Sequence, residues 1–562
     1  MRCRCEAREE RAGQDATAVL SRPSLTLSEL LKYFPLVSTP ENSELEEGRN
    51  GGDVLVESLS NDSRNLGPNC VFFCIEGTVH DGHDFAAQAA ASGAIAVVAS
   101  KKVDIDEGSR VPVILVEDTQ RSLAMASKVF YGDPSARMDA FAVTGTNGKT
   151  TTTWLIRGIL EEFGQITGMI GTVEYALAEH RLDSSGQLWA TDEDDPTLQM
   201  QQTLPAHIVP YLGKYEVENT TPDCLQVQKI MSSMVNQGGE AVVMEASSHA
   251  LAMGRCDNID VNVGVFTNLS RDHMDFHRTM DAYLKAKLRL FDLISSDGCG
   301  VVNLDDPASQ TFLEAAARRG LRVLTFSSDP SSDANVVCVG ADLSLFKTEM
   351  VVGVAETGDQ VEITSTLLGR ANVSNILAAV TAGESSLSLS SPVGTFSAAK
   401  HSSIDGSATT GIGGAIRLTI LLFFFLTGLA MGYPADIIAA GIESTEFVPG
   451  RYELINEGQD FAVLVDYAHT PDALANVLDD ARAMGAKRVI TVFGCGGSRD
   501  RGKRPLMGKI AHDKSDIVFV TSDNPRTENP DVVIDDIVSG FSKEVRSPSK
   551  TLSKYSRNTL SE

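Results

Sequence analysis

Phe141-Ala142-Val143-Thr144-Gly145-Thr146-Asn147-Gly148-Lys149-Thr150-Thr151-Thr152-Thr153 is the stretch on which the reading of this chain turns. A short apolar run meets a glycine-punctuated turn, then a lysine. Hydroxyl residues follow and open a helical pattern through Trp154, Leu155, Ile156, Ile159 and Leu160. That is the strand–loop–helix context a phosphate cradle needs. Backbone N–H groups of the turn converge on an anion, the helix N-terminus adds its dipole, and a lysine reaches the terminal phosphates. Thr150 falls where such loops place a Mg²⁺ ligand. The outer glycine of the usual pattern is replaced by Val143, leaving only Gly145 and Gly148. An ordinary strand–helix turn is the plainer reading, but Lys149-Thr150 behind two glycines makes phosphate binding the better one.

Outward from this loop, the bulk properties set limits. A chain of 562 residues holds about three domains at ordinary domain size. With 42% hydrophobic and 22% charged residues it can bury a sizeable core. The formal charge of −27, from 75 acidic against 48 basic side chains, speaks against a surface that coats nucleic acid by neutralising phosphates. No direct nucleic-acid binding is expected. Nine scattered cysteines without a C-x-x-C pair read as free thiols rather than a disulfide framework or a zinc site. Residues 1–24 read as a disordered or targeting segment, polar and acid-bearing, without the apolar core of a secretory signal.

Polar, charge-bearing residues recur where apolar runs stop. Ala241 to Met244 delivers Glu245, then Ser247, Ser248 and His249. Val261 to Phe266 delivers Thr267, Asn268, Arg271, Asp272, His273 and Asp275. Val301-Val302-Asn303 precedes Asp305 and Asp306. Open α/β sheets bind ligands outside the carboxyl ends of their strands, which is where these residues would sit. Glu245 is therefore a candidate metal carboxylate; a solvated strand end is its plainer reading. His273 alone reads as readily as a structural histidine.

The same arrangement returns near the end of the chain. One strand ends at Asp466-Tyr467-Ala468-His469-Thr470-Pro471-Asp472. A second ends at Gly494-Cys495-Gly496-Gly497 before Arg499, Arg501, Lys503 and Arg504, and a third at Asp523-Asn524-Pro525-Arg526. The arginines suit a carboxylate or phosphate ligand held in two-pronged contacts; a solvated basic turn remains the alternative by spacing alone.

Taken together, these stretches resemble the Mur ligases, and within them the type that makes UDP-N-acetylmuramoyl-tripeptide. The likeness is carried by Asp62-Ser63-Arg64, the 144–151 loop, Asn219-Thr220-Thr221-Pro222, Glu245 to His249, Thr267 to His273, Ala286-Lys287, Val448 to Arg451, Asp466 to Asp472, Gly494 to Pro505 and Asp523 to Arg526. They stand in family order across roughly residues 25–540, and the shortened phosphate loop is the family's own form. The resemblance implies an α/β fold of three domains. Residues 25–135 would bind UDP, 136–445 would form a central ATP-binding domain on a P-loop-type doubly wound sheet, and 446–540 a Rossmann-like, incomplete amino-acid domain. Residues 541–562 would be an atypical tail.

The activity implied is ATP-dependent amide formation, with ATP and Mg²⁺ as cofactors. UDP-MurNAc-L-Ala-D-Glu would accept the γ-phosphoryl group as an acyl phosphate, and meso-diaminopimelate would then be joined to it. Carried over position by position, Gly145, Thr146, Asn147, Gly148, Lys149, Thr150, Thr151, Asn303 and Asn372 bind ATP. Thr150 and Glu245 hold one Mg²⁺, and His273 with a carbamate on Lys287 holds the second; Lys149, Glu245, His273 and Lys287 form the catalytic set. Ser63 and Arg64 meet UDP, while Asn219, Thr220, Thr221, Ser247 and Arg255 meet the muramoyl dipeptide. His469, Arg499, Asp523, Asn524, Pro525 and Arg526 serve the incoming amino acid. Met253 stands where a glutamine is common in the family.

Three segments depart from the family. Tyr175 to Val217 is longer than the usual connection. A Ser/Gly/Thr-rich stretch from Gly383 to about Thr427, holding Leu418 to Leu426, interrupts a helix; its apolar run is too short to span a membrane and reads as translated intron. A family motif of the Gly-Lys-Gly-His-Glu type is missing beyond Gly540. A MurE-like chain with such inserts implies a plastid protein, with the cytoplasm as alternative. A non-enzymatic place in the plastid RNA polymerase complex is the rival function.

Overall fold

The computed structural model describes residues 25–37, 54–77, 80–106, 109–173, 175–177, 219–344, 347–355, 358–385, 434–455, 457–541 and 551–555. The expectations for 1–24, for 386–427 and for most of 175–217 lie outside these residues.

The first unit is a four-stranded parallel sheet of β1 (Ser58–Ser60), β2 (Cys70–Phe73), β3 (Ala94–Ala99) and β4 (Val113–Leu115) in that order. β2, β3 and β4 are apolar on both sides, as parallel strands covered on both faces are. Leu27, Leu31, Phe73, Val98, Ile114 and Leu123 form the core on the side of helix Thr119–Phe130.

The central unit is a ten-stranded sheet. In spatial order it runs β14 (Gln360–Ser365), β13 (Thr348–Val354), β12 (Val336–Leu343), β11 (Arg322–Ser327), β10 (Ile294–Asn303), β9 (Val261–Phe266), β5 (Asp139–Thr144), β8 (Ala241–Glu245), β6 (Thr167–Ile170) and β7 (Tyr175–Leu177). From β12 to β6 every pairing is parallel, whereas β12–β13–β14 and β6–β7 are antiparallel. The doubly wound sheet is present, extended at one edge by a meander that the sequence reading did not separate from it. Its two faces are filled by separate clusters. Phe141, Val143, Leu155, Ile159, Val243 and Val265 lie on one face; Ala140, Ala142, Val242, Met244, Phe266 and Phe312 lie on the other. Alternate residues of β5 thus enter opposite cores, which fixes its register.

In the last unit, β15 (Glu453–Ile455) pairs antiparallel with β16 (Val463–Val465). A separate parallel sheet holds β17 (Ile490–Phe493), β18 (Ile517–Thr521) and β19 (Thr551–Tyr555). β19 lies beyond the boundary expected at 540, so part of the stretch read as a tail joins the sheet. Among the described residues, seven cysteines are free and buried, and no helix is long and apolar enough to cross a membrane.

Candidate active site

The loop after β5 runs into helix Lys149–Glu162, with Gly148 at its N-cap in the left-handed region, φ +86°. Two close approaches explain the glycines. A Cβ on Gly145 would lie 1.9 Å from Thr267 Oγ1, and one on Gly148 would lie 2.4 Å from Asn375 Oδ1. The segment after β9 braces the loop from the side. Thr267 Oγ1 donates to Asn147 O (2.6 Å), Asn268 Nδ2 donates to the same carbonyl (3.0 Å), and Asn268 Oδ1 accepts from Asn147 N (2.9 Å). Thr146 N donates to Asn268 O at 2.9 Å, and its hydroxyl lies 3.2 Å from Tyr283 Oη. Lys149 Nζ turns back onto the loop and donates to Gly145 O and Thr146 O, both at 3.0 Å. Burial pushes this ammonium down, with Glu245 opposing.

Because β8 lies directly beside β5, the end of one strand meets the loop of the other. Glu245 is buried, and its Oε2 accepts from Thr150 Oγ1 at 3.0 Å. Its Oε1 accepts from Thr172 N at 2.7 Å. Thr221 Oγ1 donates to Glu245 O (2.7 Å), accepts from Ser247 N (3.2 Å) and lies 3.3 Å from Ser247 Oγ. Thr220 accepts from Thr172 Oγ1 (3.1 Å), and Arg255 Nη1 donates to Thr221 O (3.1 Å). Arg255 Nη2 also lies 3.8 Å from Met253 Sδ, a weak partner where an amide would accept fully. Asn219 is exposed at the edge of this group.

The end of β9 brings in a ring cluster. His273 takes a left-handed backbone, φ +54°, and its ring stands 4.7 Å from that of His249. His277 lies 5.5 Å from His249 and 5.0 Å from Tyr283, and its Nε2 is 2.9 Å from Ser248 Oγ. Burial lowers His273 and His277 to about 4 and lowers His249 as well. Burial would raise Asp272, but His469 and His273 facing it hold its carboxyl below the ordinary range. Lys287 is buried with Nζ 4.5 Å from the Tyr283 ring centroid. Burial, with Lys149 nearby, pushes its ammonium well below the usual lysine range.

The last unit closes on this edge through three contacts. Arg451 Nη2 donates to Thr150 Oγ1 (2.9 Å), His469 Nε2 lies 3.8 Å from Asp272 Oδ2, and Arg499 Nη1 lies 4.0 Å from Asp275 Oδ2. Arg526 is exposed, has φ +50° and donates through Nη1 to Gly497 O (2.9 Å). Asp523 and Asn524 are exposed beside it, and Asn524 Oδ1 accepts from Arg526 N at 3.3 Å.

Three models of one family match in succession: "Mur ligase family, catalytic domain" over 55–131, "Mur ligase middle domain" over 143–383, and "Mur ligase, glutamate ligase domain" over 450–556. The chain belongs to the Mur ligase family. It is 35% identical over 528 residues to the UDP-N-acetylmuramoyl-L-alanyl-D-glutamate–2,6-diaminopimelate ligase of Syntrophomonas wolfei, covering 93% of this chain and 88% of that one. It is 37% identical over 494 residues to the chloroplastic MurE homolog of Arabidopsis thaliana, covering 87% of this chain and spanning about half, 53%, of that relative. A solved diaminopimelate ligase of the same name superposes with a TM-score of 0.58 at 25% identity, over 96% of this chain and 90% of that one. A MurF from Acinetobacter baumannii shares the fold at a TM-score of 0.53 and 15% identity.

For this Mur ligase the structure brings Lys149, Thr150, Glu245, Thr220, Thr221, Ser247 and Arg255 to one edge of the central sheet, with His273 and Lys287 beside them. Ser63 is buried in the turn after β1, while Arg64 is exposed and folds back onto Asp62 through two contacts of 2.9 Å. Two expected nucleotide residues have their amides engaged elsewhere. Asn303 Nδ2 donates to Thr267 O (2.7 Å), and its Oδ1 accepts from Asp305 N (2.9 Å). Asn372 Nδ2 donates to Leu368 O (2.8 Å), and its Oδ1 accepts from Asn375 Nδ2 (2.9 Å). Asn375, one helical turn further on, is the amide that reaches Gly148. The sequence reading quoted Arg451 and His249 inside motifs but gave them no site role, and it passed over His277 and Tyr283. The signal for the last two was position: each lies within four residues of a motif already singled out.

Proposed function

We propose that this chain is an ATP-dependent amide ligase that joins meso-diaminopimelate to UDP-MurNAc-L-Ala-D-Glu through an acyl phosphate, a step of peptidoglycan precursor synthesis. The observation that carries the reading is the Thr150–Glu245 contact at the mouth of the phosphate loop. Residues 25–135 bind UDP through Ser63 and Arg64, 136–445 bind ATP, and the unit from 446 onward binds the amino acid.

Lys149 leaves its two loop carbonyls for the β- and γ-phosphates, while the 145–148 backbone cradles them. Thr220, Thr221, Ser247 and Arg255 place the D-Glu carboxylate against the γ-phosphorus. That carboxylate takes the phosphoryl group and ADP leaves; the amine of diaminopimelate then attacks the acyl carbon, and phosphate departs with the amine's proton lost. Positioning and charge neutralisation are what phosphoryl transfer demands of a protein.

The donor set fits Mg²⁺. Thr150 and Glu245 offer hard oxygen atoms, and among the described residues no three His, Cys, Asp or Glu side chains gather to hold a metal alone. Mg²⁺ is commonly held by one or two protein oxygens with phosphates and water completing the shell. Thr150 and Glu245 would hold one ion; His273 and the carbamate of Lys287, whose burial disfavours its ammonium form and so suits carbamylation, would hold the other. When bound, the ions neutralise charge on the transferring phosphate. Arg526 and Arg499 hold the second carboxylate of diaminopimelate. The likeness to a chloroplastic relative supports a plastid location.

The test is phosphate release with UDP-MurNAc-L-Ala-D-Glu and ATP, comparing meso-diaminopimelate, L-lysine and no amino acid. Release that depends on diaminopimelate supports the reading. A folded, full-length chain that releases none overturns it.

A further inference from the structure

Two arginines with nothing beneath them would hold a carboxylate at no fixed place. Here the loops that bear them are locked to one another from below. Gly497 N donates to Asn524 O at 2.8 Å, and Arg526 Nη1 donates back to Gly497 O. A Cβ on Gly497 would lie 1.9 Å from Pro525 O, so the two backbones touch. Ser498 and Arg526, one on each loop, both hold left-handed backbones, φ +53° and +50°. Non-glycine residues stay in that region only where their surroundings over-determine it.

What over-determines them is a pair anchored on a buried arginine. Arg504, on helix Lys503–Lys514, is fully buried. Its guanidinium grips the Glu528 carboxylate with two prongs, Nη1 to Oε2 at 2.9 Å and Nη2 to Oε1 at 3.1 Å. Nη1 also donates to Asp536 Oδ2 (2.9 Å), and Nη2 to Gly496 O (3.3 Å). Glu528 Oε1 in turn accepts from Ser498 N at 2.7 Å, and Ser498 Oγ lies 2.9 Å from Thr527 Oγ1. The pair therefore holds the 496–498 loop through Gly496 O and Ser498 N, and the 523–528 loop through Glu528 itself. Arg499 is the residue after Ser498, and Arg526 lies two residues before Glu528.

We propose that Glu528, gripped by buried Arg504, is a positioning residue that sets the spacing between Arg499 and Arg526 and so the preference for an amino acid with a second carboxylate. The inference rests on the amino-acid assignment made under the proposed function. Glu528 acts through the loops, because its own oxygens are taken by Arg504 and the Ser498 N–H. A two-pronged arginine contact tolerates little displacement of its base. A shift between the loops should therefore weaken a dicarboxylic amino acid far more than a monocarboxylic one.

The test is calorimetric titration of the full-length chain with meso-diaminopimelate and with L-lysine, alongside thermal denaturation, for the wild type, Glu528→Gln and Arg504→Lys. Glu528→Gln keeps an acceptor for Ser498 N but loses the charge that Arg504 grips; Arg504→Lys keeps the charge but loses the fork. The expected result is diaminopimelate affinity reduced about tenfold or more in either folded variant, the scale of one lost charge-assisted contact, with L-lysine changed little. Folded variants that bind diaminopimelate as the wild type does, or that lose both amino acids equally, overturn the positioning role and leave the ligase reading intact. A wild type that does not bind diaminopimelate overturns the ligase reading and this inference with it. Should the glutamine variant fail to fold, Glu528→Asp, with its shortened carboxylate, takes its place under the same criteria.

Discussion

Arg451 donates from Nη2 to the hydroxyl of Thr150 at 2.9 Å, and that same hydroxyl donates to Glu245 at 3.0 Å. A residue at the entrance to the last unit thus rests on the phosphate loop of the central one. The guanidinium is backed by the ring of Tyr467, 4.6 Å from its centroid. Thr150→Val keeps the shape of the side chain but leaves Glu245 Oε2 and Arg451 without their shared partner. Under the proposed function, ADP formation should fall at least about a hundredfold, the scale of losing one preorganised group at a transferring phosphate. Thr150→Ser should restore most of it. A Thr150→Val protein of near wild-type rate would remove Thr150 from the chemistry.

The loop glycines admit a steric test. Alanine at Gly145 would put its methyl 1.9 Å from Thr267 Oγ1, on a residue that also braces Asn147. Alanine at Gly148 meets Asn375 and must also take φ +86°. Each variant should lose measurable ATP binding by calorimetry while unfolding about 1–3 kcal/mol more easily, the usual scale of overpacking. Retained ATP affinity in Gly145→Ala would show that the loop does not need its present shape.

In the first unit Asp81 joins Lys101 to His83. Lys101 Nζ and His83 Nδ1 each lie 2.5 Å from its carboxylate, and His83 Nε2 accepts from Ser100 N at 3.1 Å. Lys101, and then His83, hold the carboxyl well below its ordinary 3.8. A depressed acid stabilises the fold above its unfolded pKa and loses that contribution as pH falls through its folded one. Urea midpoints of the wild type and Asp81→Asn should therefore differ at pH 6 and converge as pH drops below about 3.8. Lys101 is exposed and solvent screens the pair, so the difference should stay small. A gap that has not shrunk by pH 2 would assign it to packing.

A helix of the central unit is capped from the last one. Asp480 Oδ2 accepts from Arg370 N at 3.0 Å, at the start of helix Arg370–Ser385, with Gly369 at φ +91° pressed against it. That helix carries Asn375 to the phosphate loop. Asp480→Ala should cost about 1 kcal/mol, as a lost N-cap does, and should weaken ATP binding as well as stability; Asp480→Asn should recover most of both. Unchanged ATP affinity in Asp480→Ala would confine its role to stability.

The loop itself was legible because everything that makes it is local. An apolar run, two glycines, Lys149-Thr150 and a helical period lie within twenty residues, and each acts on its neighbours in the chain. The same holds for Glu245 and His273, read as the polar ends of apolar strands. The company these residues keep was not written in spacing. Thr150 meets Glu245 across 95 residues and Arg451 across 301, and only the order of strands, with β5 between β8 and β9, brings the first pair together. Asn372 and Asn375 share a helical face, so periodicity does not separate them; the seating of their helix sends Asn375 to Gly148 and turns Asn372 inward. The meander of β12 to β14 reads as apolar runs like any others until pairing gives it direction. The burial of Arg504 beneath its exposed neighbours depended on packing as well. Sequence by itself determined the chemistry at the strand ends, because period and turn residues act locally. Tertiary structure decided which of those ends meet, because contacts across hundreds of residues are chosen by which faces can be buried together.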